Sequence, residues 1–191
     1  MQPMVDDRAQ PVVRPALPGD AHGVARVHVD AWRVAYRGLI ADEVLAALSV
    51  EVWTGRWRAW LEASSAGLPT DHGPDLTHRM LVATLSDRVV GWATYGPARD
   101  ATASSDHELA GLYVHPDDWS RGVGHKLLGG VESDLLSLGA TEAYLWVLDG
   151  NERAIGFYEH HHWTYDGAEK LEDAGGAREL RELRHTRVLR P

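Results

Sequence analysis

The chain has 191 residues, of which 44% are hydrophobic and 25% charged, as in a typical globular domain with a substantial core. Its net charge of −9 argues against a nucleic-acid-binding protein, which normally has a basic face, and no apolar run reaches the roughly 18 residues of a membrane span. Cysteine is absent, which excludes disulfides, cysteine-ligated metals and a cysteine acyl-enzyme.

The first part of the chain predicts a tail, a strand and a helix. Residues 1–10 are mostly polar and predict a disordered tail before a single domain over 11–191. They lack the basic start and apolar core of a signal peptide, so we expect a cytoplasmic protein. Residues 12–14 predict a strand. Asp20 is placed to cap a helix that ends at Gly38 and carries one apolar face, made of Val24, Val27, Ala31, Val34 and Ala35.

Asp42 and Ser49 are candidate caps of further helices. The helix after Ser49 carries Trp53, Trp57 and Trp60 at helical spacing, a stripe that we interpret as core rather than as a ligand platform. Residues 64–79 are rich in Gly, Pro, Ser and Asp and predict a long surface loop.

The second part of the chain alternates strands with helices. Turn residues at Ser86-Asp87-Arg88 predict a hairpin, and Gly175-Gly176 predicts a turn between two closing strands. The full order is β-α-α-β-β-β-α-β-α-β-β, a mixed α/β domain. The predicted strands are residues 80–84, 89–95, 109–114, 143–148, 163–165 and 183–189, and the predicted helices follow Gly122 and Gly150.

One stretch, ELAGLYVHPDDWSRGVGHKLL from Glu108 to Leu128, joins a buried strand to a glycine-containing turn and a helix. The free amides of a first helical turn and the helix dipole favour an anion, and glycines allow its close approach. The stretch has no Gly-Lys-Ser/Thr as in a P-loop. It also lacks the third glycine of a dinucleotide fingerprint, since Leu127 occupies that position.

The stretch resembles the acyl-CoA-binding core of the GCN5-related N-acetyltransferases, in which a strand, a Gln/Arg-x-x-Gly-x-Gly/Ala loop and a helix hold the CoA pyrophosphate. Arg121, Gly122 and Gly124 fit that pattern, whereas Trp119 stands where the family usually has Gln or Arg. The segment WVLDGNERAIGFYEHHHW, from Trp146 to Trp163, resembles the family's later strand and helix. Asn151, Ala154, Phe157 and Tyr158 fall in register there, and His162-Trp163 replaces the usual Gly-Phe.

The resemblance implies an acyl-CoA N-acyltransferase fold, with a mixed, mostly antiparallel central sheet flanked by helices and two central strands splayed around the pantetheine. It also implies acetyl-CoA as cosubstrate, no metal, and an N-acetyltransferase that acts on a primary amine of a small molecule or peptide. Without a cysteine, transfer is expected to be direct. Dimers are common in this fold, so a homodimer is a candidate assembly.

The resemblance also implies roles for individual residues. Glu108, fourteen residues before Gly122, matches the spacing of a base glutamate in the histone-acetylating branch, with His107 and Tyr113 as further candidate bases. Tyr158 is expected to protonate the leaving thiolate, because a phenol is protonated at neutral pH. Trp32, Tyr36 and Arg37 are expected to contact the acceptor. The expected cofactor-binding residues are Leu112, Tyr113, Val114, Trp119, Ser120, Arg121, Gly122, Val123, Gly124, His125, Asn151, Arg153 and Phe157, with Lys126 a further candidate for a phosphate contact.

Three alternatives are open from the sequence. His160-His161-His162 suggests a metal site, but neighbouring helical side chains point about 100° apart, which disfavours convergence on one ion. The chain also fits a non-catalytic acyl-CoA sensor or partner-binding module. A nucleotide-dependent transferase is the third alternative, and the missing P-loop lysine argues against it.

Overall fold

The computed structural model describes residues 10–70 and 76–190, which form seven strands and five helices. The strands are β1 (Val12–Pro15), β2 (Arg79–Leu85), β3 (Arg88–Pro97), β4 (His107–Val114), β5 (Glu142–Leu148), β6 (Thr164–Ala174) and β7 (Ala177–Val188). The helices are α1 (Ala21–Ala35), α2 (Asp42–Ala47), α3 (Val50–Ser65), α4 (Val123–Ser137) and α5 (Glu152–His160). No helix among these residues is long and apolar enough to cross a membrane.

All seven strands belong to one sheet in the order β1-β2-β3-β4-β5-β7-β6. Every neighbouring pair is antiparallel except β4 and β5, which are parallel. Those two central strands pair in register only at Glu108 and Tyr144, so they diverge beyond that pair. The predicted mixed sheet with splayed central strands is therefore confirmed.

Helices cover both faces of the sheet. Successive side chains of a strand point to opposite faces, so one strand can pack against helices on both sides. On β2, Leu81, Ala83 and Leu85 pack in the cluster that holds the apolar side of α4. The intervening Met80 and Val82 pack with α1 and α3. The helix predicted after Gly122 is present as α4, and its C-terminus is followed by Gly139 at φ 90°.

Several predicted details of the first helices need correction. Asp20 does not cap α1 with its side chain; its carboxylate instead accepts hydrogen bonds from Arg14 and from the Leu17 amide. Val34, predicted on the buried face, is exposed. Ser49 does cap α3, with its Oγ accepting from the Val52 amide at 3.3 Å. A short helix near Asp42 is present as α2, but Asp42 is its first residue and not its cap, because Ala41 occupies the N-cap position. The predicted order counted two helices before β2, where the described residues form three.

The closing hairpin is much longer than predicted. β6 covers eleven residues and β7 twelve, where the sequence indicated short strands at 163–165 and 183–189. β6 lies at the edge of the sheet and most of its residues are exposed, so it lacks the apolar alternation that marks a half-buried strand. The turn at Gly175-Gly176 is confirmed. The predicted tail lies outside the described residues except for Gln10.

Candidate active site

The divergence of β4 and β5 opens a cleft of about 1490 Å³, bordered also by the loop before α4 and by α5. β4 has an extra residue here, because β3 pairs Thr94 with Gly111 and Tyr95 with Leu109 and passes over Ala110. A bulge of this kind bends a strand and interrupts its ladder. β4 therefore presents small residues and open backbone to the cleft at its middle.

Two amides of β4 point into this opening. The His115 amide donates to Val90 O on β3 at 2.8 Å, and successive amides of a strand point to opposite edges. The amides of Leu112 and Val114 therefore face β5, which has no register pair with them. The structure thus places both predicted backbone donors where a ligand can reach them.

The loop before α4 provides a second set of donors. Gly122 occupies the N-cap position at φ 77°, and no side chain caps the helix. The first-turn amides of Val123, Gly124 and His125 lie where an intrahelical partner is lacking. A Cβ on Gly124 would come within 3.3 Å of the Phe157 ring, so glycine keeps the loop close to α5. The sequence predicts an anion site at this turn, and the structure has uncapped helix amides there.

The two arginines predicted to bind the cofactor lie in different places. Arg153 lies at the cleft, with its guanidinium carbon 4.0 Å from the centroid of the Trp119 ring. Trp119 is fixed in turn, since its Nε1 donates to Val114 O at 2.8 Å. Arg121 lies outside the cleft lining and donates to the buried Asp118 at 3.2 Å. The unexpected tryptophan thus holds a cation beside the loop amides.

Lys126 and Asn151 are the next two residues predicted to bind the cofactor. Lys126 Nζ donates to Gln10 Oε1 at 3.0 Å and to Pro11 O at 3.1 Å, outside the cleft. Asn151 lines the cleft and also caps α5, because its Oδ1 accepts from the Ala154 amide at 3.3 Å. The Asn151 side-chain amide nitrogen is the part that can donate to a ligand.

Tyr158 borders the cleft from α5, and its ring is buried. Burial, followed by the electrostatic influence of Tyr113, raises its pKa, so the phenol keeps its proton at neutral pH. None of the hydrogen bonds within residues 10–70 and 76–190 uses this hydroxyl. Close by, the hydroxyls of Tyr36 and Tyr113 lie 3.0 Å apart and share one hydrogen bond. A protonated phenol is therefore held at the cleft without a competing partner.

Glu108 is only 2% exposed and anchors the end of the cleft where β4 and β5 still pair. Its Oε1 lies 2.9 Å from His78 Nε2 and accepts a hydrogen bond from Arg99, while Tyr144 donates to its Oε2 at 3.0 Å. Burial disfavours the charged form, but the hydrogen bonds and charges of His78 and Arg99 outweigh it and lower the pKa of Glu108. Glu108 is thus an ionised carboxylate that also ties three segments together.

The predicted acceptor residues divide between cleft and surface. Trp32 and Tyr36 line the cleft, whereas Arg37 is exposed and lies outside its lining. Trp53 and Trp57, interpreted as core from their spacing, line the cleft as half-buried side chains. No local sequence pattern marks six other lining residues, namely His28, His78, Trp92, Arg99, Tyr144 and Glu182.

The histidine run does not gather into a cluster. His161 Nε2 lies 2.9 Å from His125 Nδ1, and its own Nδ1 lies 2.7 Å from Phe157 O. His162 takes φ 64°, a left-handed conformation at the position where the family usually has glycine. Trp163 fills the core beside it. Within the part of the chain that the structure describes, no three His, Asp or Glu side chains are grouped to hold a metal.

Comparison with known proteins gives a consistent answer. Residues 49–163 match the sequence model of the acetyltransferase (GNAT) family. The chain belongs to the acetyltransferase (GNAT) family. It is accordingly an acetyl-CoA-dependent acyltransferase, and the fold expected from the GNAT resemblance is the one observed.

Individual relatives agree with this membership. The chain is 28% identical over 147 residues to the uncharacterized N-acetyltransferase YuaI of Bacillus subtilis, covering 77% of this chain and 76% of that protein. It resembles the crystal structure of the PaiA N-acetyltransferase from Thermoplasma acidophilum in complex with coenzyme A, with a TM-score of 0.69, 19% identity, and coverage of 94% and 99% of the two chains. The YncA structure from Salmonella typhimurium with acetyl-CoA gives a TM-score of 0.66 at 19% identity, covering 95% of each chain.

Proposed function

We propose that this GNAT protein transfers an acetyl group from acetyl-CoA directly to a primary amine, within a ternary complex. The observation that carries this proposal is the cleft itself. It combines the uncapped amides of α4, the open β4 amides of Leu112 and Val114, and the unengaged hydroxyl of Tyr158. The chain has no cysteine to carry an acetyl group, which favours direct transfer.

The residues present fit the parts of acetyl-CoA. The amides of Val123, Gly124 and His125 suit the pyrophosphate, and Arg153 adds a cation that its stacking on Trp119 keeps in place. The open edge of β4 offers its amides to the pantetheine in the manner of an added strand. These contacts leave the thioester in the middle of the cleft, where β4 carries its bulge.

Proton removal from the amine is the first chemical requirement, because an ammonium has no lone pair for attack. Glu108 is the carboxylate on β4 that lines the cleft, and its ionised state makes it a proton acceptor. Its oxygens are engaged by His78, Arg99 and Tyr144, so we propose that it accepts the proton through water rather than by direct contact.

The amine nitrogen then attacks the thioester carbonyl carbon, forming a C–N bond and a tetrahedral oxyanion. A backbone amide on the open edge of β4 is positioned to stabilise that oxyanion. Collapse breaks the C–S bond, and the departing sulfur takes the proton of the Tyr158 hydroxyl. The nitrogen, which carries a positive charge after the attack, loses its second proton, and Tyr158 regains one through solvent, so that a neutral amide, a thiol and a protonated Tyr158 remain. The raised pKa of Tyr158 keeps that proton in place until the thiolate forms.

Two-substrate kinetics test the direct-transfer proposal. Initial rates with varied acetyl-CoA and amine are expected to give intersecting double-reciprocal plots, since both substrates must be bound before transfer. Parallel plots, together with isolation of an acetylated protein intermediate, would contradict it. The predicted homodimer and cytoplasmic location stay predictions.

A further inference from the structure

The part of the cleft bordered by α1 and α3 has a wall made almost entirely of rings. His28 lies at its centre, stacked on Trp53 with ring centroids 3.9 Å apart and on Trp32 at 5.1 Å. Trp57 meets the His28 ring edge-on at 5.8 Å, and Trp92 lies parallel to it at 6.0 Å. We call this set the aromatic wall; its members are His28, Trp32, Trp53, Trp57, Trp92 and Tyr113, all lining the cleft.

The aromatic wall is uncharged. His28 is only 4% exposed, and burial, followed by the charge of Arg56, lowers its pKa to about 3, so its imidazole is neutral at physiological pH. Neither ring nitrogen of His28 has a hydrogen-bond partner among the described residues. Both ring nitrogens of His185, outside the cleft lining, are buried without a partner in the same way, so this state marks an apolar environment around His28.

The indole nitrogens of the wall repeat this pattern. Among residues 10–70 and 76–190, Nε1 of Trp57 and Trp92 is buried without a partner, and Nε1 of Trp32 interacts with Tyr113 alone. In contrast, the indoles of Trp119 and Trp163 each donate to an acceptor, Val114 O and Glu132 Oε1 respectively. Lack of hydrogen-bond partners is therefore concentrated in the indoles of the cleft.

The charge of the cleft on the side of the closing hairpin is acidic. Glu172, Asp173 and Glu182 line it from β6 and β7. The cation that the hairpin adds is Lys170, whose Nζ lies 3.0 Å from Glu172 and 3.3 Å from Glu182, and Arg99 lines the cleft near Glu182. Glu182 is close enough to influence Tyr113 electrostatically, and Tyr113 belongs to the aromatic wall. An occupant of this region thus meets flat apolar rings on one side and a carboxylate-rich strand pair on the other.

We propose that the acceptor is a small primary amine attached through a short chain to an aromatic ring, with the ring against Trp53 and Trp57 and the ammonium group attracted by the hairpin carboxylates. Aromatic rings favour offset-stacked or edge-to-face contacts with other rings, which this wall supplies on several sides. This inference rests on the proposed function and specifies its acceptor. A linear polyamine has no ring to stack on the aromatic wall. An extended peptide needs hydrogen-bond partners for its backbone, and the aromatic wall consists of side-chain rings.

The test is an acceptor panel at saturating acetyl-CoA, with release of CoA followed by a thiol reagent. Phenylethylamine, tyramine and tryptamine are compared with spermidine and with a peptide that has a free N-terminal amine. We expect kcat/KM for the best aromatic amine to exceed that for spermidine and the peptide by about 100-fold, from burial of the ring. A higher kcat/KM for spermidine or the peptide would overturn the inference, while their acetylation would leave the proposed function standing.

Two variants sharpen the test. Trp57→Leu keeps a good helix former on α3 but removes the ring, and it is expected to lower kcat/KM for the aromatic amine by about tenfold. The KM for acetyl-CoA is expected to stay unchanged. Val52→Leu introduces the same residue at an exposed position of α3 outside the cleft lining and serves as the matched control, with kcat/KM expected within about twofold of the parent value. Equal effects of the two substitutions would overturn the inference, and failure of acetyl-CoA to bind would instead contradict the proposed function.

Discussion

The substitution Tyr158→Phe removes one oxygen atom and tests the proposed role of Tyr158 as the general acid. The Tyr158 hydroxyl takes part in none of the hydrogen bonds among the described residues, so its loss leaves no protein donor or acceptor unpaired. The ring keeps its packing, with its centroid 5.4 Å from that of Phe157 and 6.4 Å from that of Trp163. We therefore expect a variant with an unchanged melting temperature and an unchanged Kd for acetyl-CoA.

Turnover should respond very differently. General acid catalysis contributes about 10²- to 10⁴-fold, so kcat should fall by that factor, equivalent to about 3–5 kcal/mol in the activation barrier. Because burial raises the pKa of Tyr158, the parent enzyme should also keep its kcat up to about pH 10, without a decline from loss of this proton.

Steady-state assays over pH 6–10, with calorimetry for acetyl-CoA, measure both effects. Tyr165→Phe is the control, since Tyr165 is an exposed tyrosine on β6 whose hydroxyl donates to Glu169. A Tyr158→Phe variant with a kcat within about threefold of the parent value would refute the acid role. A variant that no longer binds acetyl-CoA would show that Tyr158 acts in binding instead.

Three further predictions concern the carboxylate and the loop. Glu108→Gln should lower kcat/KM at least about 100-fold, with little change in the Kd for acetyl-CoA; unaltered turnover would show that Glu108 only joins the strands. His78 and Arg99 outweigh burial and lower the pKa of Glu108 below its ordinary value of 4.5. The stability that the ionised carboxylate contributes should therefore be complete above about pH 4.5 and should be lost as the pH falls through the lower pKa of the folded state. Urea unfolding midpoints that do not fall between about pH 6 and pH 3 would contradict this. Trp119→Leu removes the ring under Arg153 and should weaken acetyl-CoA binding about two- to thirtyfold by calorimetry, and an unchanged Kd would mean that the stack does not position the cation.

Local patterns in the sequence predicted the part of the site that a single segment builds. The strand, the turn at Gly122 and the apolar periodicity of α4 lie within one stretch, so neighbouring residues decide each of them. Ser49 could be identified as a cap for the same reason, since its partner is the amide of Val52. Asp20 had an equally suitable sequence position, but Arg14 lies close enough to pair with its carboxylate, and that ion pair competes with capping.

The unpredicted part of the site depends on side chains brought together from distant segments. His78 lies thirty residues and Tyr144 thirty-six residues from Glu108 in the sequence, and both contact its carboxylate. No short motif predicts contacts between residues so far apart. Trp92 reaches His28 only because β3 packs against α1. The exposed strand β6 was underestimated for another reason, since an edge strand with few buried residues carries little hydrophobic periodicity.

Calorimetric titration of the purified protein with acetyl-CoA, in parallel with ATP and S-adenosylmethionine, tests whether the cleft is an acetyl-CoA site. The splayed strands, the uncapped α4 amides and the Trp119–Arg153 stack predict micromolar binding of acetyl-CoA alone. Absence of acetyl-CoA binding, or equal binding of ATP, would contradict the assignment of the cleft as an acetyl-CoA site.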